Sequence, residues 1–283
     1  MSSVAACPFS LENAVLGAGF CAFEWEIEIS RPRGVLAVGA ADALVLERDT
    51  SSVLHVFDSD GDGIPDAKRS VATASGLNHG LALNGDYIYA SSDTTVYRWP
   101  YEATNFTTGD VEVVVVNINA DGAGGAPQGH RTRTLVFDDI GRLYISVGSY
   151  ANVDEDSYRS RIRRFDLKDG LSQDFSNGEV FADGLRNEVG MAFDKHGVLW
   201  GVENGADNLF RSDLGGDIKN DNPVRVSASK IIWCRSIHHK QVVLTIYVPM
   251  FRQKNSIDSK KRMQESTGDV SIYNRLCLGF QEV

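Results

Sequence analysis

The sequence predicts an all-β protein of the β-propeller class. Short apolar runs alternate with tight glycine-containing turns, the resulting hairpins recur along the chain, and no helix-length amphipathic run separates them. Aligning Leu36, Ala82, Val136 and Ala192 in four such hairpins gives spacings of 46, 54 and 56 residues. Repeats of four short strands every ~40–50 residues are typical of propeller blades.

The hairpins can be followed in order along the chain. Residues 23–48 are predicted as strands, because residues 23–29 alternate with period two and residues 31–34 form a turn. The second copy spans residues 76–90, and a strongly β-prone run follows at residues 110–116. The third copy, residues 130–148, is followed by an arginine-rich strand at residues 158–167, for which surface ion pairing is the preferred interpretation.

The fourth hairpin carries the most polar ends. Apolar strands at residues 189–193 and 198–202 flank a turn at residues 194–197. Arg186 and Asn187 precede the first strand, and Glu203 and Asn204 follow the second. Because the ends of strands in a rigid sheet can present side chains to a ligand, this hairpin is a predicted part of a functional site.

Three segments are predicted. Residues 1–22 form an N-terminal segment, residues 23–226 a partial propeller of about four blades, and residues 227–283 an atypical tail without hairpin copies. The tail is either a mis-spliced or frame-shifted replacement of the last blades or a genuine divergent C-terminal segment. The first 22 residues lack the basic start of a signal peptide, so either the protein is not secreted or the true start of the gene is missing.

Composition excludes several classes of function. The net charge of −10, with no basic stripe over the repeats, argues against a general binder of nucleic acids or anionic membranes, and no membrane span is predicted. The four cysteines show no CxxC spacing, so neither a zinc site nor a disulfide framework is predicted.

An acidic loop follows the strand at residues 53–57. Its carboxylates occupy positions 1, 3, 5 and 9 of a calcium-loop pattern; they are Asp58, Asp60, Asp62 and Asp66. Gly63 supplies the turn, but Arg69 stands where the closing glutamate is expected. A weak calcium site is one interpretation, and a solvated acidic turn is the other.

Three motifs resemble the soluble quinoprotein sugar dehydrogenases, the glucose/sorbosone dehydrogenase-like six-bladed propellers that include fungal pyranose dehydrogenases. They lie at residues 129–137, 184–190 and 202–206, in the right order and at blade spacing. The resemblance covers about residues 25–223. It implies pyrroloquinoline quinone (PQQ) and calcium as cofactors and a parent ring of six blades, of which only about four are present.

The resemblance also implies residue roles. His130 matches the base that removes the hydroxyl proton of a sugar as hydride leaves for the quinone. Arg186 matches the arginine facing the quinone oxygens, and Asn187 a neighbouring cofactor partner. The backbone carbonyls of Gly205 and Ala206 match those that hold the calcium ion.

Further features qualify this assignment. Arg33 and His79 begin equivalent hairpins, so both are predicted to face the same channel as softer cofactor-binding candidates. Ser149 stands where soluble glucose dehydrogenases place an acidic residue that orients the base, which favours the sorbosone or pyranose branch. The structural alternative is that His130 caps a strand and that Arg186 and Asn187 satisfy turn carbonyls.

Three functions follow as hypotheses. The first is a PQQ- and calcium-dependent dehydrogenase that acts on a small sugar and passes electrons to an acceptor. The second is a calcium-dependent lactonase or esterase, with Glu203 and Asn204 at the metal. The third is a non-catalytic, degenerate propeller.

Overall fold

The computed structural model describes residues 25, 27–118, 130–154, 159–204, 209–211 and 215–218, the last two ranges as backbone only. In this part of the chain, every element longer than three residues is a β-strand. Two short 3₁₀ turns, Leu167–Asp169 and Phe175–Asn177, are the helical elements. No helix among the described residues is long and apolar enough to cross a membrane.

The first sheet is a four-stranded antiparallel meander. Its strands are β1 (Pro32–Ala37), β2 (Ala43–Glu47), β3 (Ser52–Phe57) and β4 (Ala67–Thr73). All five residues of β2 are buried, whereas β4 at the outer edge is largely exposed. This gradient of burial is expected when one end of a meander packs inside the molecule and the other faces solvent.

The second sheet repeats the pattern with an added edge. Its strands are β5 (Leu81–Asn84), β6 (Tyr87–Ser91), β7 (Val96–Glu102), the short β8 (Thr107–Thr108) and β9 (Glu112–Val116). The run predicted at residues 110–116 is therefore a strand. A two-residue turn with Gly85 at φ +53° joins β5 to β6, as glycine allows.

The third sheet and a further hairpin complete the described strands. The third sheet contains β10 (Leu135–Phe137), β11 (Leu143–Val147), β12 (Arg161–Phe165) and β14 (Glu179–Asp183), while β13 (Gln173–Asp174) pairs in parallel with β9 of the second sheet. The hairpin consists of β15 (Glu188–Phe193) and β16 (Leu199–Glu203), followed by the pair β17 (Leu209–Arg211) and β18 (Gly215–Ile218).

The sheets pack face to face in chain order. One apolar cluster joins the first and second sheets, with Leu44 and Leu46 against Ile88 and Trp99. Equivalent clusters join the second sheet to the third and the third to the β15–β16 hairpin. The first strands of consecutive sheets, β1, β5, β10 and β15, are neighbours. Strands arranged in this way line the central channel of a propeller, so the predicted fold class is confirmed.

The aligned repeat residues occupy equivalent places. Each lies in the first strand of its sheet and pairs with the second strand: Leu36 with Leu44, Ala82 with Tyr89, Val136 with Tyr144, and Ala192 with Trp200. Within the described residues, the first and third sheets have four strands each, the second sheet has six including β8 and β13, and β15–β16 and β17–β18 are two-stranded. A parent ring of six blades remains a prediction.

Three local predictions were wrong. The predicted turn at residues 31–34 is mostly strand, because β1 begins at Pro32. Residues 25 and 27–29 are not in a strand, although Trp25, Ile27 and Ile29 pack against the first sheet, so their alternation reported burial rather than pairing. The arginines of β12 do not form only surface ion pairs, because Arg161 and Arg163 are buried. The segment 1–22 and the predicted tail at 227–283 lie outside the described residues.

Candidate functional site

The residues that precede or begin the first strands converge at one end of the channel. Arg33 Nη2 lies 3.3 Å from His79 Nδ1, and His79 Nε2 lies 3.2 Å from the carbonyl oxygen of Val189. A carbonyl only accepts, so Nε2 carries the proton and Nδ1 accepts from Arg33. His79 therefore connects the first and second sheets to the β15–β16 hairpin.

The same contacts keep His79 neutral. Burial, followed by the positive charge of Arg33, lowers the pKa of His79 to about 4, although the Val189 carbonyl works in the opposite direction. Burial also lowers the pKa of Arg33, with smaller effects from Arg48 and Arg31. The Nε atom of Arg33 is buried and has no hydrogen-bond partner among the described residues. This end of the channel therefore holds a fixed cation with unused donor capacity.

His130 and Asn187 meet at Gly148. A Cβ atom built on Gly148 would lie 2.7 Å from the His130 Cβ and 2.6 Å from the Asn187 Oδ1. Both distances are shorter than van der Waals contact allows, so only glycine lets the two side chains approach this point. Asn187 is 5% exposed, which makes its amide a buried polar group beside the histidine.

Ser149 orients the His130 ring. The Nδ1 atom of His130 lies 2.6 Å from the Ser149 carbonyl oxygen and 3.1 Å from the Ser149 Oγ, whose hydroxyl donates to the Ala151 carbonyl at 2.6 Å. Nδ1 must therefore be the protonated nitrogen. In the neutral ring, Nε2 then carries the lone pair and can accept a proton.

Arg186 is held by the backbone on two sides. Its Nη1 donates to the Asn204 carbonyl at 3.0 Å, its Nε to the Asn152 carbonyl at 3.3 Å, and its Nη2 to the Asn152 Oδ1 at 3.3 Å. The Ser149 amide in turn donates to the Arg186 carbonyl at 2.7 Å. The loop that contains Ser149 and Asn152 therefore bonds to both His130 and Arg186.

Glu188 and Glu203 form a carboxylate pair beside Arg186. They face each other across β15 and β16, and Glu203 accepts from the backbone amide of Arg186. Burial and the charge of Glu203 raise the pKa of Glu188, and burial also raises that of Glu203. The Arg186 amide uses only one oxygen of Glu203, so the predicted use of Glu203 as a lactonase metal ligand stays a prediction.

The sequence did not predict the role of Arg133. Its side chain is fully buried and donates to three carbonyls: Asp93 at 2.8 Å, His130 at 3.0 Å and Thr132 at 3.0 Å. Burial lowers its pKa to about 10, so the group stays charged at neutral pH. It anchors the backbone of His130 to the second sheet. An arginine within a strand-forming motif gives no sequence signal for this role.

The predicted metal ligands are placed only in part. Gly205 and Ala206 lie outside the described residues. In the acidic loop, carboxylate oxygens of Asp58, Asp60 and Asp62 lie within 4.8 Å of one another, whereas Asp66 accepts from the amide and hydroxyl of Ser59 at 2.7 and 2.8 Å. A calcium site here remains a prediction.

Like charges are concentrated in this acidic loop. The Asp62 amide lowers the pKa of Asp60, but the charges of Asp62 and Asp66, with burial, outweigh it and raise that pKa. Asp58 instead accepts from the amides of Gly63 and Gly61, which lower its pKa. Backbone donors therefore already stabilise part of the negative charge without an ion.

The residues at the channel end fit a polyanionic quinone. Arg33 and Arg186 supply two guanidinium groups, the Arg33 Nε has an unused hydrogen, and the buried amide of Asn187 adds a neutral partner. Guanidinium groups match carboxylates in geometry and charge. Contacts join Arg33 to His79 and His79 to the Val189 carbonyl, while His130 and Asn187 meet at Gly148. Among the described residues, the side-chain hydrogen bonds of the acidic loop stay within that loop.

Comparison with known proteins gives a consistent result. The family model described as TrAA12-like matches residues 14–229. A PQQ-dependent pyranose dehydrogenase of Coprinopsis cinerea is 30% identical over an alignment of 213 residues, and the match covers 69% of this chain and 28% of that protein. The chain therefore spans less than a third of the length of this relative.

Solved structures agree. The holo form of the pyranose dehydrogenase PQQ domain from Coprinopsis cinerea is 26% identical with a TM-score of 0.57, covering 66% of this chain and 47% of that one. The calcium structure of a Trichoderma reesei member of Carbohydrate-Active Enzymes Family AA12 is 29% identical with a TM-score of 0.59, covering 70% and 51%.

Proposed function

This chain belongs to the TrAA12-like family, and on that premise we propose that its propeller takes part in the PQQ-dependent oxidation of an aldose or related pyranose sugar. The observation that carries the proposal is the geometry of His130. Its Nδ1 is held by the Ser149 carbonyl, its Cβ lies against Gly148 beside Asn187, and the same loop holds Arg186. The relatives support the cofactor, because a pyranose dehydrogenase and its holo PQQ domain are among them.

A bound PQQ would supply the acceptor for the hydride, two electrons and one proton, that leaves the anomeric carbon of the sugar. The residues of this chain move the proton and orient the reacting groups. His130 Nε2 takes the proton of the anomeric hydroxyl, and the Ser149 carbonyl stabilises the resulting imidazolium through Nδ1–H. The carbonyl and the hydroxyl of Ser149 thus orient the base, a role that an acidic residue has in the soluble glucose dehydrogenases.

Two arginines are the proposed binding groups for the quinone. Arg33 and Arg186 would hold the anionic groups of the quinone, and their fixed charge would stabilise negative charge on it. Asn187 fixes orientation, because a buried amide accepts and donates in only a few directions. His79, being neutral and bonded at both nitrogens, keeps Arg33 in place.

Calcium is the second proposed cofactor. The backbone carbonyls of Gly205 and Ala206 are its proposed ligands, and the calcium structure of the Trichoderma reesei relative supports this ion. The proposed partners are a small sugar and an external electron acceptor.

The test replaces His130 with alanine. Because the proton acceptor is lost and the cationic clamp is kept, we expect dye-coupled sugar oxidation to fall at least ~100-fold. PQQ affinity, measured by titration with calcium present, should change less than ~2-fold. The matched control is His196→Ala, since His196 lies exposed in the β15–β16 turn.

Other outcomes would contradict the proposal. Equal losses of PQQ affinity and turnover in His130→Ala would make His130 a structural residue. Lactone hydrolysis by the parent chain without PQQ would identify a lactonase. Cooperative unfolding with no PQQ binding would leave a non-catalytic propeller.

A further inference from the structure

We propose that the loop from Ser149 to Asp154 is a single positioning unit that sets His130 and Arg186 relative to each other, and that the buried Asp154–Arg159 ion pair fixes its shape. This inference rests on the proposed function, because it concerns the proposed base and cofactor cation. Asp154 and Arg159 are positioning residues here, since they act through other groups.

The loop contacts both residues directly. At its start, the Ser149 carbonyl accepts from His130 Nδ1 at 2.6 Å, while the Ser149 amide donates to the Arg186 carbonyl at 2.7 Å. Three residues later, the carbonyl and side-chain oxygen of Asn152 accept from the Arg186 guanidinium. A shift of the loop would therefore change the histidine and the arginine together.

Asp154 closes the loop. One carboxylate oxygen accepts from the Tyr150 amide at 2.6 Å and from Arg159 Nε at 2.6 Å, and the other accepts from Arg159 Nη2 at 2.9 Å. The carboxylate thus joins the beginning of the loop to an arginine two residues before β12. Since β12 is an inner strand of the third sheet, the loop is tied to a rigid element.

The ion pair is buried, unlike the surface pairing that the sequence predicted. The Asp154 side chain is 5% exposed and that of Arg159 is 10% exposed. A two-point contact between a guanidinium and a carboxylate specifies orientation as well as distance. Buried ion pairs of this kind contribute little net stability but can select one arrangement. Here, the selected arrangement is the loop conformation in which Ser149 and Asn152 reach their partners.

The tethered loop matters because the reacting groups must be placed precisely. Proton transfer and cofactor binding require the reacting groups to lie close to productive geometry, and a misplacement of about 1 Å can cost ~100-fold in rate. An untethered six-residue loop would distribute Ser149 over several conformations. The tautomer of His130 would then no longer be fixed by the Ser149 carbonyl.

The chain offers a matched control at the opposite end of the same sheet. Asp138 closes the β10–β11 turn by accepting from the Arg142 amide at 2.8 Å and from Arg142 Nε at 2.6 Å. Its side chain is 6% exposed, similar to Asp154. The hydrogen bonds of the Asp138 carboxylate to described residues involve neither His130 nor Arg186.

The experiment measures the His130 tautomer by ¹⁵N NMR of the 283-residue chain without added cofactor, with the His130 signals assigned by their absence in His130→Ala. In Asp154→Asn, we expect the ratio of Nε2–H to Nδ1–H tautomer to rise about 5- to 10-fold, which corresponds to losing one hydrogen bond. Arg159→Lys keeps the charge but not the two-point contact, so its shift should be smaller. Asp138→Asn should leave the ratio unchanged.

A second readout is PQQ affinity, which should fall about tenfold in Asp154→Asn through displacement of Arg186. If Asp154→Asn does not fold, Arg159→Lys carries the test. An unchanged tautomer ratio in a folded variant, or an equal change in Asp138→Asn, would overturn the inference. Failure of the parent chain to bind PQQ, together with the expected tautomer shift, would overturn the proposed function and support the role of the loop.

Discussion

At residue 148, a side chain would occupy the space that His130 and Asn187 share. The Cβ of an alanine would lie 2.7 Å from the His130 Cβ and 2.6 Å from the Asn187 Oδ1. The Asn187 oxygen belongs to a buried side chain and the His130 Cβ is attached directly to the backbone, so a methyl group here would have to displace a buried group or the backbone. Gly148 is therefore required by packing.

This requirement leads to a prediction for Gly148→Ala. Overpacking should lower the free energy of unfolding by ~1–3 kcal/mol, and displacement of His130 and Asn187 should weaken PQQ binding about tenfold. Chemical denaturation and PQQ titration measure the two effects. Gly109→Ala is the control, because the nearest heavy atoms to its Cβ would be those of Pro100, at 3.2 Å or more. Normal stability and affinity in Gly148→Ala would show that the site can relax around a methyl group.

Between elements, His79 is a link whose strength depends on pH. It bonds Arg33 of the first sheet and the Val189 carbonyl of the β15–β16 hairpin, and its pKa in the folded state is about 4. The unfolded value is ~6.5. The unfolded chain therefore binds the proton more readily, so the stability that depends on neutral His79 is complete above pH ~6.5 and is lost as pH falls toward 4.

The expected cost of acidification is about 2–3 kcal/mol between pH 7 and pH 4, after allowance for the partial exposure of His79. Glu188 acts in the opposite sense, since burial raises its pKa and low pH favours its folded form. The comparison is therefore between the parent and His79→Gln, which can still donate to Val189 but does not titrate. Denaturant unfolding at pH 7, 5.5 and 4.5 should give a smaller acid loss in the variant. His196→Gln is the control, and parallel pH profiles for His79→Gln and the parent would refute the assignment.

Strand β12 shows why element-level prediction failed in part. Its position in the chain was predicted correctly, but two of its arginines point into the protein. Arg163 donates to the carbonyls of Ser176 and Gly178 at 2.9 and 2.6 Å, next to the Phe175 ring. Backbone carbonyls carry no residue identity, so no sequence pattern announces that they will accept from an arginine.

Across the whole molecule, the described sheets differ in their number of strands. The first and third sheets have four strands and the second has six, whereas the β15–β16 hairpin is a two-stranded sheet within the described range. Two-stranded sheets are marginal unless they pack on a neighbour. The hairpin does so through Met191 and Leu199, which contact Tyr144 and Ile162 of the third sheet.

Hydrogen exchange should report this difference. We expect amides of the central strands β6 and β11 to exchange at least ~10-fold more slowly than those of β15 and β16 under native conditions. Mass spectrometry of peptic fragments resolves the three regions. Equal protection of the hairpin would indicate that further strands cover its outer edge.

The sequence alone determined the class of fold and the position of most strands. Period-two alternation, glycine turns and the recurrence of Leu36, Ala82, Val136 and Ala192 are local signals, and each of these residues lies in the first strand of its sheet. Two residues from the motifs of the resemblance, His130 and Asn187, meet at Gly148. These features depend on neighbours in the chain or on short motifs.

Only the tertiary structure decided how the site is held together. His130 contacts Ser149 across 19 residues, Arg186 contacts Asn152 across 34, and His79 contacts Val189 across 110. Many of these contacts end on backbone carbonyls, whose positions are set by how one sheet packs on the next. The roles of Asn152, Arg133 and the Asp154–Arg159 pair follow from that packing, because hydrogen bonds between distant segments exist only after the sheets have docked.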